Sequence, residues 1–259
     1  MTGFRGRVEK YYKEKLAEQG AMLFSLIDPD KFYLEKGASI AKASYENNAD
    51  VILVGGSIGA QGSLLDDTIK MIKDAAPGLP VVLYPGNISG ISQFADAIYF
   101  MHMLNSRDVY WLSTAQIQAA PVIKRIGIEA IPTTYLIIEP GRTVGWIGNA
   151  NVVPRERSDL AAACALAARY TGSHVLITDA GSGAPEPAPV EMISAIAEQC
   201  EDALLYFNAG GVKTPQQAAA CIKAGARGIH VGNAFEEQAS AEKIKAMAAA
   251  IRAEGKKRV

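Results

Sequence analysis

Eight short apolar runs, spaced along the chain with helix-forming stretches between most of them, set the tightest limit on what it can fold into. They cover residues 21–27, 50–54, 80–84, 96–103, 130–138, 175–177, 204–207 and 228–231. Near-continuous apolar runs of this length read as strands buried on both faces, the pattern of a parallel sheet covered by helices. Helical patterns fall at 33–48, 64–75, 113–126, 160–170, 189–199, 214–224 and 241–253. Eight strands alternating with helices predict a closed TIM (β/α)8 barrel. That fold typically needs about 250 residues, so residues 1–259 read as a single domain. An open doubly wound sheet is the competing arrangement, but no GxGxxG follows the first strand.

Two intervals depart from the repeat. Only residues 88–95 separate the third strand from the fourth, whereas a parallel crossover normally takes a dozen residues or more. The third helix is therefore expected to be missing or reduced, leaving a gap in the outer ring. The connection from Glu139 to Arg157 is long and reads as a lid or binding loop. Ahead of the first strand, residues 5–19 form a polar helical pattern expected to close the bottom of the barrel.

In such barrels the active site lies at the C-terminal ends of the strands. The sixth strand breaks into Asp179, Ala180, Gly181, Ser182, Gly183 and Ala184; the seventh into Asn208, Ala209, Gly210 and Gly211; the eighth into Gly232 and Asn233. Glycine lets backbone approach a ligand closely, and converging amides bind anions, phosphate above all. Three consecutive loops of this kind predict one phosphate site, and hence an enzyme with a phosphorylated substrate. Asp179 lies beside it and suits either a general base acting on a substrate hydroxyl or a loop-stabilising carboxylate. Asp28 and Ser57 end the first and second strands. They fit either a Mg²⁺ site, since that ion prefers oxygen ligands, or, more plainly, a turn carboxylate before Pro29 and a loop serine. Tyr135 and Glu139 end the fifth strand and share one face with Ile137 by alternation; the tyrosine fits either the border of a long apolar channel or packing inside the barrel. The aromatic stretch from Tyr99 to Met103, with Tyr110 and Trp111 beyond, reads as core, interface or the wall of a greasy groove. His102 and His230 lie within apolar strands and read as satisfied core histidines.

Composition removes other function classes. Half of the residues are hydrophobic (49%), which excludes disorder, and a net charge of −1 excludes a nucleic-acid binder that relies on a basic surface. No run of 18 apolar residues occurs, and the N-terminus lacks the apolar core of a signal peptide. Cys164, Cys200 and Cys221 fall in helical runs without metal-type spacing, as expected of reduced thiols in a cytoplasmic protein.

The motifs LIDPDK (26–31), ILVGGSIG (52–59), VLYPGN (82–87), DAIYFMHMLNSR (96–107), YLIIEPG (135–141) and the AGSGA loop (180–184) occur in this order. Together they resemble the geranylgeranylglyceryl phosphate synthases, and the longer LNSR and EPG-containing form resembles the second sequence group of that family. The resemblance implies a modified TIM barrel without its third helix. It implies Mg²⁺-dependent transfer of a geranylgeranyl group from geranylgeranyl diphosphate to the 3-hydroxyl of sn-glycerol 1-phosphate, with release of diphosphate, in archaeal ether-lipid synthesis. By position, Asp28 and Ser57 match the Mg²⁺ ligands. The glycerol phosphate site maps to Ile177, Thr178, Asp179, Ala180, Gly181, Ser182 and Gly183, with Gly210, Gly211, Gly232 and Asn233. A homo-oligomer, dimeric or hexameric, is implied as well. This chain departs from the family's Y-L-E-A-G-S-G-A: Ile177 replaces the tyrosine and Asp179 the longer glutamate. The remaining alternatives are another prenyl chain length, a sugar-phosphate isomerase or aldolase, and a barrel that binds ligand without turnover.

Overall fold

The computed structural model describes residues 7–56, 61–235 and 240–259. Eight parallel strands close on themselves in sequence order: β1 (Met22–Ile27), β2 (Val51–Val54), β3 (Val81–Leu83), β4 (Ala97–Met103), β5 (Glu129–Ile137), β6 (Val175–Asp179), β7 (Leu205–Ala209) and β8 (Gly228–Val231). Closure is made by β1 against β8, with Phe24 opposite His230.

Alternation along each strand separates two cores. Inward residues such as Phe24, Leu53, Val82, Tyr99, Ile177 and Phe207 fill the lumen. Outward residues pack under the helices α2 (Glu35–Glu46), α3 (Gly62–Ala75), α4 (Ala115–Ile126), α6 (Ser158–Tyr170), α7 (Val190–Cys200), α8 (Pro215–Ala224) and α9 (Ser240–Gly255). On α3, Leu65, Ile69 and Ile72 recur at helical spacing and are buried against Ile52, Val54 and Leu83. Each such side chain contributes about 1.5–3 kcal/mol relative to its exposed state.

The bottom is closed as expected, by α1 (Val8–Gln19), although Arg5 lies outside the described residues. Tyr12 plugs the lumen edge-on to Phe24 and Phe207 at 5.4 and 5.9 Å. The backbone N–H of Val8 donates to Glu129 at the start of β5.

Between β3 and β4 stands only a 3₁₀ turn, Ile88–Gly90, so the third helix is reduced as the short interval demands. The connection after β5, expected as a lid or binding loop, holds a short helix, α5 (Arg142–Ile147). One expectation needs correction. The helix read from Ser113 begins earlier, with a π-helical turn at Tyr110–Thr114 running into α4. There the Gln116 side-chain amide donates to the carbonyls of Met101 and Trp111 and ties the turn to the end of β4. Among the described residues no helix is long and apolar enough to cross a membrane.

Candidate active site

The carboxylate of Asp179 closes the lumen at the end of β6. Val175, Ile177 and Asp179 take the inward positions of that strand. Asp179 is 8% exposed, and both of its oxygens are engaged. Oδ2 accepts from the Tyr135 hydroxyl at 2.5 Å, and Oδ1 from the Gly181 backbone N–H at 2.6 Å. Burial raises its pKa above the ordinary carboxylate value, against the two hydrogen bonds, which favour the ionised form. The Tyr135 hydroxyl is itself pushed well above its usual range by burial and the nearby carboxylate, so it stays protonated and donates. Tyr135 stands beside Ile177 in the strand register. A tyrosine hydroxyl therefore reaches this acid from the neighbouring strand, although Ile177 itself has none.

The first glycine of the next loop is required by that carboxylate, the second by the loop that follows Asp179. Gly210 has φ +75°, and a Cβ there would lie 2.5 Å from Asp179 Oδ1. Gly211 has φ +77°, and its Cβ would collide with the Glu186 carbonyl oxygen. After them, Thr214 caps α8 in a capping box with Gln217, whose side-chain oxygen also accepts from the Lys213 N–H.

A cavity of about 560 Å³ opens above these loops, lined by Asp179, Ser182, Gly183, Gly210, Gly211, Lys213, Gly232 and Asn233. The Ser182 hydroxyl donates to Asn233 Oδ1 at 3.0 Å and joins the sixth loop to the eighth. All three loops thus meet at one point walled by small residues, as an anion site requires, with Lys213 also in the lining and its ammonium on the Pro185 carbonyl at 3.2 Å. A second chamber of about 630 Å³ shares Tyr84, Asp179, Ser182, Gly232 and Asn233 with the first and adds Asp28, Gly55, Gly56 and Tyr135. Asp28 and Ser182 therefore open into the same mouth. Asp28 also serves its turn, accepting from the Asp30 N–H at 3.1 Å, with Lys31 Nζ at 3.6 Å. The two readings of this residue are compatible.

Ser57 lies outside the described residues. Among those described, no cluster of three His, Cys, Asp or Glu could cage a metal. One carboxylate facing a chamber next to an anion site fits Mg²⁺, which usually takes one or two carboxylates and fills its shell with water and substrate phosphate.

From Tyr135 and Met101 an apolar groove of about 740 Å³ runs outward past Ile88, Ile91, Phe100, Ala115, Ala119 and Ile123, with Trp111, Val144 and Ile147 also lining it. It occupies the place where a full third helix would have packed. Of the aromatic stretch, Tyr99, Phe100, Met101 and Met103 on β4 and Trp111 beyond it thus line a groove, which Tyr135 borders.

The structure places the other sequence-based candidates away from the linings of these cavities. Glu139 is exposed, lines none of these cavities, and accepts weakly from the Arg155 N–H at 3.4 Å. Strand β5 ends at Ile137, so alternation does not carry to residue 139; there the chain bonds to Val153 instead. Thr178 faces outward, with its hydroxyl 2.9 Å from that of Tyr206. Ile177 packs deeper in the lumen core, and Ala180 belongs to the outer core with its N–H on the Ala209 carbonyl. Gly181 shapes the loop, but its N–H is taken by Asp179. Cys164 is only half-buried, whereas Cys200 and Cys221 are buried; all three are free thiols. Sequence reasoning passed over Lys213 and Tyr84, and it read His230 as a satisfied core histidine. Alternation alone would have placed His230 in the lumen, between Gly228 and Gly232 on the same face.

A sequence profile of the PcrB family matches residues 14–251. The geranylgeranylglyceryl phosphate synthase of Thermococcus kodakarensis is 46% identical over 240 residues, 93% of this chain and 94% of that protein. The protein of the same name from Pyrococcus horikoshii is 45% identical, over 95% of this chain and 96% of its own. Among solved structures, the Thermoplasma acidophilum (S)-3-O-geranylgeranylglyceryl phosphate synthase in complex with its substrate sn-glycerol-1-phosphate superposes with a TM-score of 0.91. It is 32% identical, covering 98% of this chain and all of that one.

Proposed function

Because the chain belongs to the PcrB family, with geranylgeranylglyceryl phosphate synthases among its relatives, we propose that it transfers a geranylgeranyl group from geranylgeranyl diphosphate to the 3-hydroxyl of sn-glycerol 1-phosphate. The observation that carries this reading is the sharing of Asp179 and Ser182 between the three-loop anion site and the chamber that holds Asp28. An acceptor phosphate in the first and a diphosphate in the second would bring the two reacting ends together over one carboxylate. The groove beyond Met101 and Tyr135 would take the prenyl chain.

In this arrangement the loops at Gly183, Gly211 and Gly232–Asn233 hold the acceptor phosphate and aim its 3-hydroxyl at Asp179. The allylic C–O bond to diphosphate breaks, with the positive character at carbon spread over the double bond. The acceptor oxygen forms the new C–O bond as its proton passes to the Asp179 carboxylate. Tyr135 and the Gly181 N–H orient that carboxylate and favour its ionised form against the effect of burial. Lys213 in the acceptor cavity and Lys31 beside Asp28 would supply positive charge for the two anions. Asp28, with Ser57, would hold Mg²⁺, which when bound neutralises charge developing on the departing diphosphate.

The relatives' names do not favour the isomerase or aldolase alternative. A cytoplasmic setting, suggested by the free thiols, and a homo-oligomer, dimeric or hexameric, belong to the same proposal. Incubating the protein with labelled geranylgeranyl diphosphate, sn-glycerol 1-phosphate and Mg²⁺ tests it. Formation of the prenyl ether, lost on chelation of the metal, is expected; binding of both substrates with no ether formed would overturn it.

A further inference from the structure

His230 has no role in the mechanism above, yet it is the most conspicuous unsatisfied group in the lumen. It is 3% exposed, and neither Nδ1 nor Nε2 has a hydrogen-bond partner. Its neighbours on β8, Ile229 and Val231, face the outer core, so its ring points inward. Around it stand only rings that offer no acceptor or donor in reach: Phe24 at 4.7 Å, Phe207 at 5.6 Å, Tyr99 stacked at 5.9 Å and Tyr84 edge-on at 5.7 Å. The Tyr84 hydroxyl is likewise buried without a well-formed hydrogen bond, and it interacts with the Tyr135 hydroxyl beside it. Polar atoms buried in this way are normally paired, so three on facing side chains call for a ligand.

Both residues line the acceptor cavity together with Asp179, Ser182, Gly211 and Asn233. In the register Asp179 lies opposite Ala209, and Ala209 opposite His230, so the imidazole and the carboxylate flank a single alanine. Burial pushes the His230 pKa down to about 3, so the ring is neutral, with one donor and one acceptor nitrogen. A tyrosine hydroxyl likewise both donates and accepts. A phosphate oxygen would use only the donors and a cation only the acceptors, whereas a hydroxyl uses both kinds.

We propose that His230 and Tyr84 form the subsite for the secondary hydroxyl of the polyol phosphate, the one that does not react. This rests on the reading of the acceptor as glycerol phosphate. It gives the cavity three separate points of attachment: the loops for phosphate, Asp179 for the reacting hydroxyl and the His230–Tyr84 pair for the other. Three such points distinguish the two mirror-image glycerol phosphates, which phosphate and one hydroxyl cannot do. The polar contact is supplied from β8 and β3 in a chain that has isoleucine at position 177.

The test compares sn-glycerol 1-phosphate with 3-hydroxypropyl phosphate, which lacks the secondary hydroxyl, in the wild type, His230→Leu, His230→Gln and Tyr84→Phe. Calorimetric affinities without prenyl donor are measured beside kcat/KM. The wild type is expected to favour glycerol phosphate at least about tenfold in both, since a site built for a hydroxyl rejects the analogue lacking it. In His230→Leu that ratio collapses towards one, chiefly through KM. Gln, which keeps a donor and an acceptor, restores part of it, and Tyr84→Phe, which removes a single oxygen, lowers it without disturbing the histidine. Equal wild-type affinity for the two phosphates would overturn the proposal. So would variants that weaken both acceptors equally, the mark of a purely structural role. If the wild type discriminates in binding but forms no ether, the subsite stands and the transferase reading falls.

Discussion

Replacing Tyr135 with phenylalanine removes one oxygen and one hydrogen bond, the 2.5 Å contact to Asp179. The carboxylate is buried, so solvent does not screen the loss. A hydrogen bond to a charged group contributes about 1.5–3 kcal/mol, and a tenfold change in an ionisation equilibrium corresponds to about 1.4 kcal/mol. Losing a donor that favours the ionised form adds to the effect of burial, which already raises the Asp179 pKa. The acid limb of kcat/KM against pH should therefore move up by about one to two pH units in Tyr135→Phe. Activity should recover towards the wild-type level at alkaline pH. Stability carries the same sign. A carboxyl whose folded pKa lies above its unfolded value loses stability as pH rises between the two, so the variant should fall further below wild type at pH 8 than at pH 4. Steady-state profiles and denaturant melts at both values check this. An acid limb that stays in place while kcat drops equally at every pH would refute the view that Tyr135 sets the ionisation of the base.

Gly210→Ala forces a left-handed alanine, at about 1–2 kcal/mol, and drives its Cβ into Asp179 Oδ1. Gly172→Ala, at φ +83° with open space around it, carries only the backbone term. Both should lose roughly 2–8 °C in Tm, but only the first should lose turnover; equal activities would contradict the contact. Asp28→Asn keeps the acceptor for the Asp30 N–H and so should melt near wild type while kcat/KM falls on the order of a hundredfold or more. Undiminished activity in excess Mg²⁺ would remove Asp28 from the metal site. Ala119→Phe fills the apolar groove. At about 0.8 kcal/mol per buried methylene, displacing two or three of them should raise KM for geranylgeranyl diphosphate by roughly tenfold or more while sparing geranyl diphosphate. An equal rise for both donors would place the chain elsewhere.

The barrel was legible because its determinants are local. Buried strands need apolar runs, and an eight-residue interval cannot hold a crossover helix. The site was legible only in part. Glycine at 210 and 211 and the small residues at 232–233 mark a loop that needs close approach, and they converge as expected. The same reasoning did not foresee that Glu139 lies away from the cavities, because alternation says nothing about where a strand ends, or that Thr178 faces outward, because residues of one strand end alternate between lumen and helix layer. It read His230 as a satisfied core residue, since hydrogen bonding inside a barrel depends on side chains from strands far apart in the chain. The Tyr135–Asp179 contact was hidden for the same reason. It joins positions 44 residues apart, brought together by register alone.

The central claim is that three loops hold a phosphate so that a hydroxyl of the same molecule meets Asp179. A crystal structure of this protein with sn-glycerol 1-phosphate tests it most directly. The account predicts phosphate oxygens against Gly183, Gly211 and Asn233, and the 3-hydroxyl within about 3 Å of an Asp179 carboxylate oxygen. A phosphate bound at the α1 end of the barrel, or a 3-hydroxyl turned away from Asp179, would contradict it.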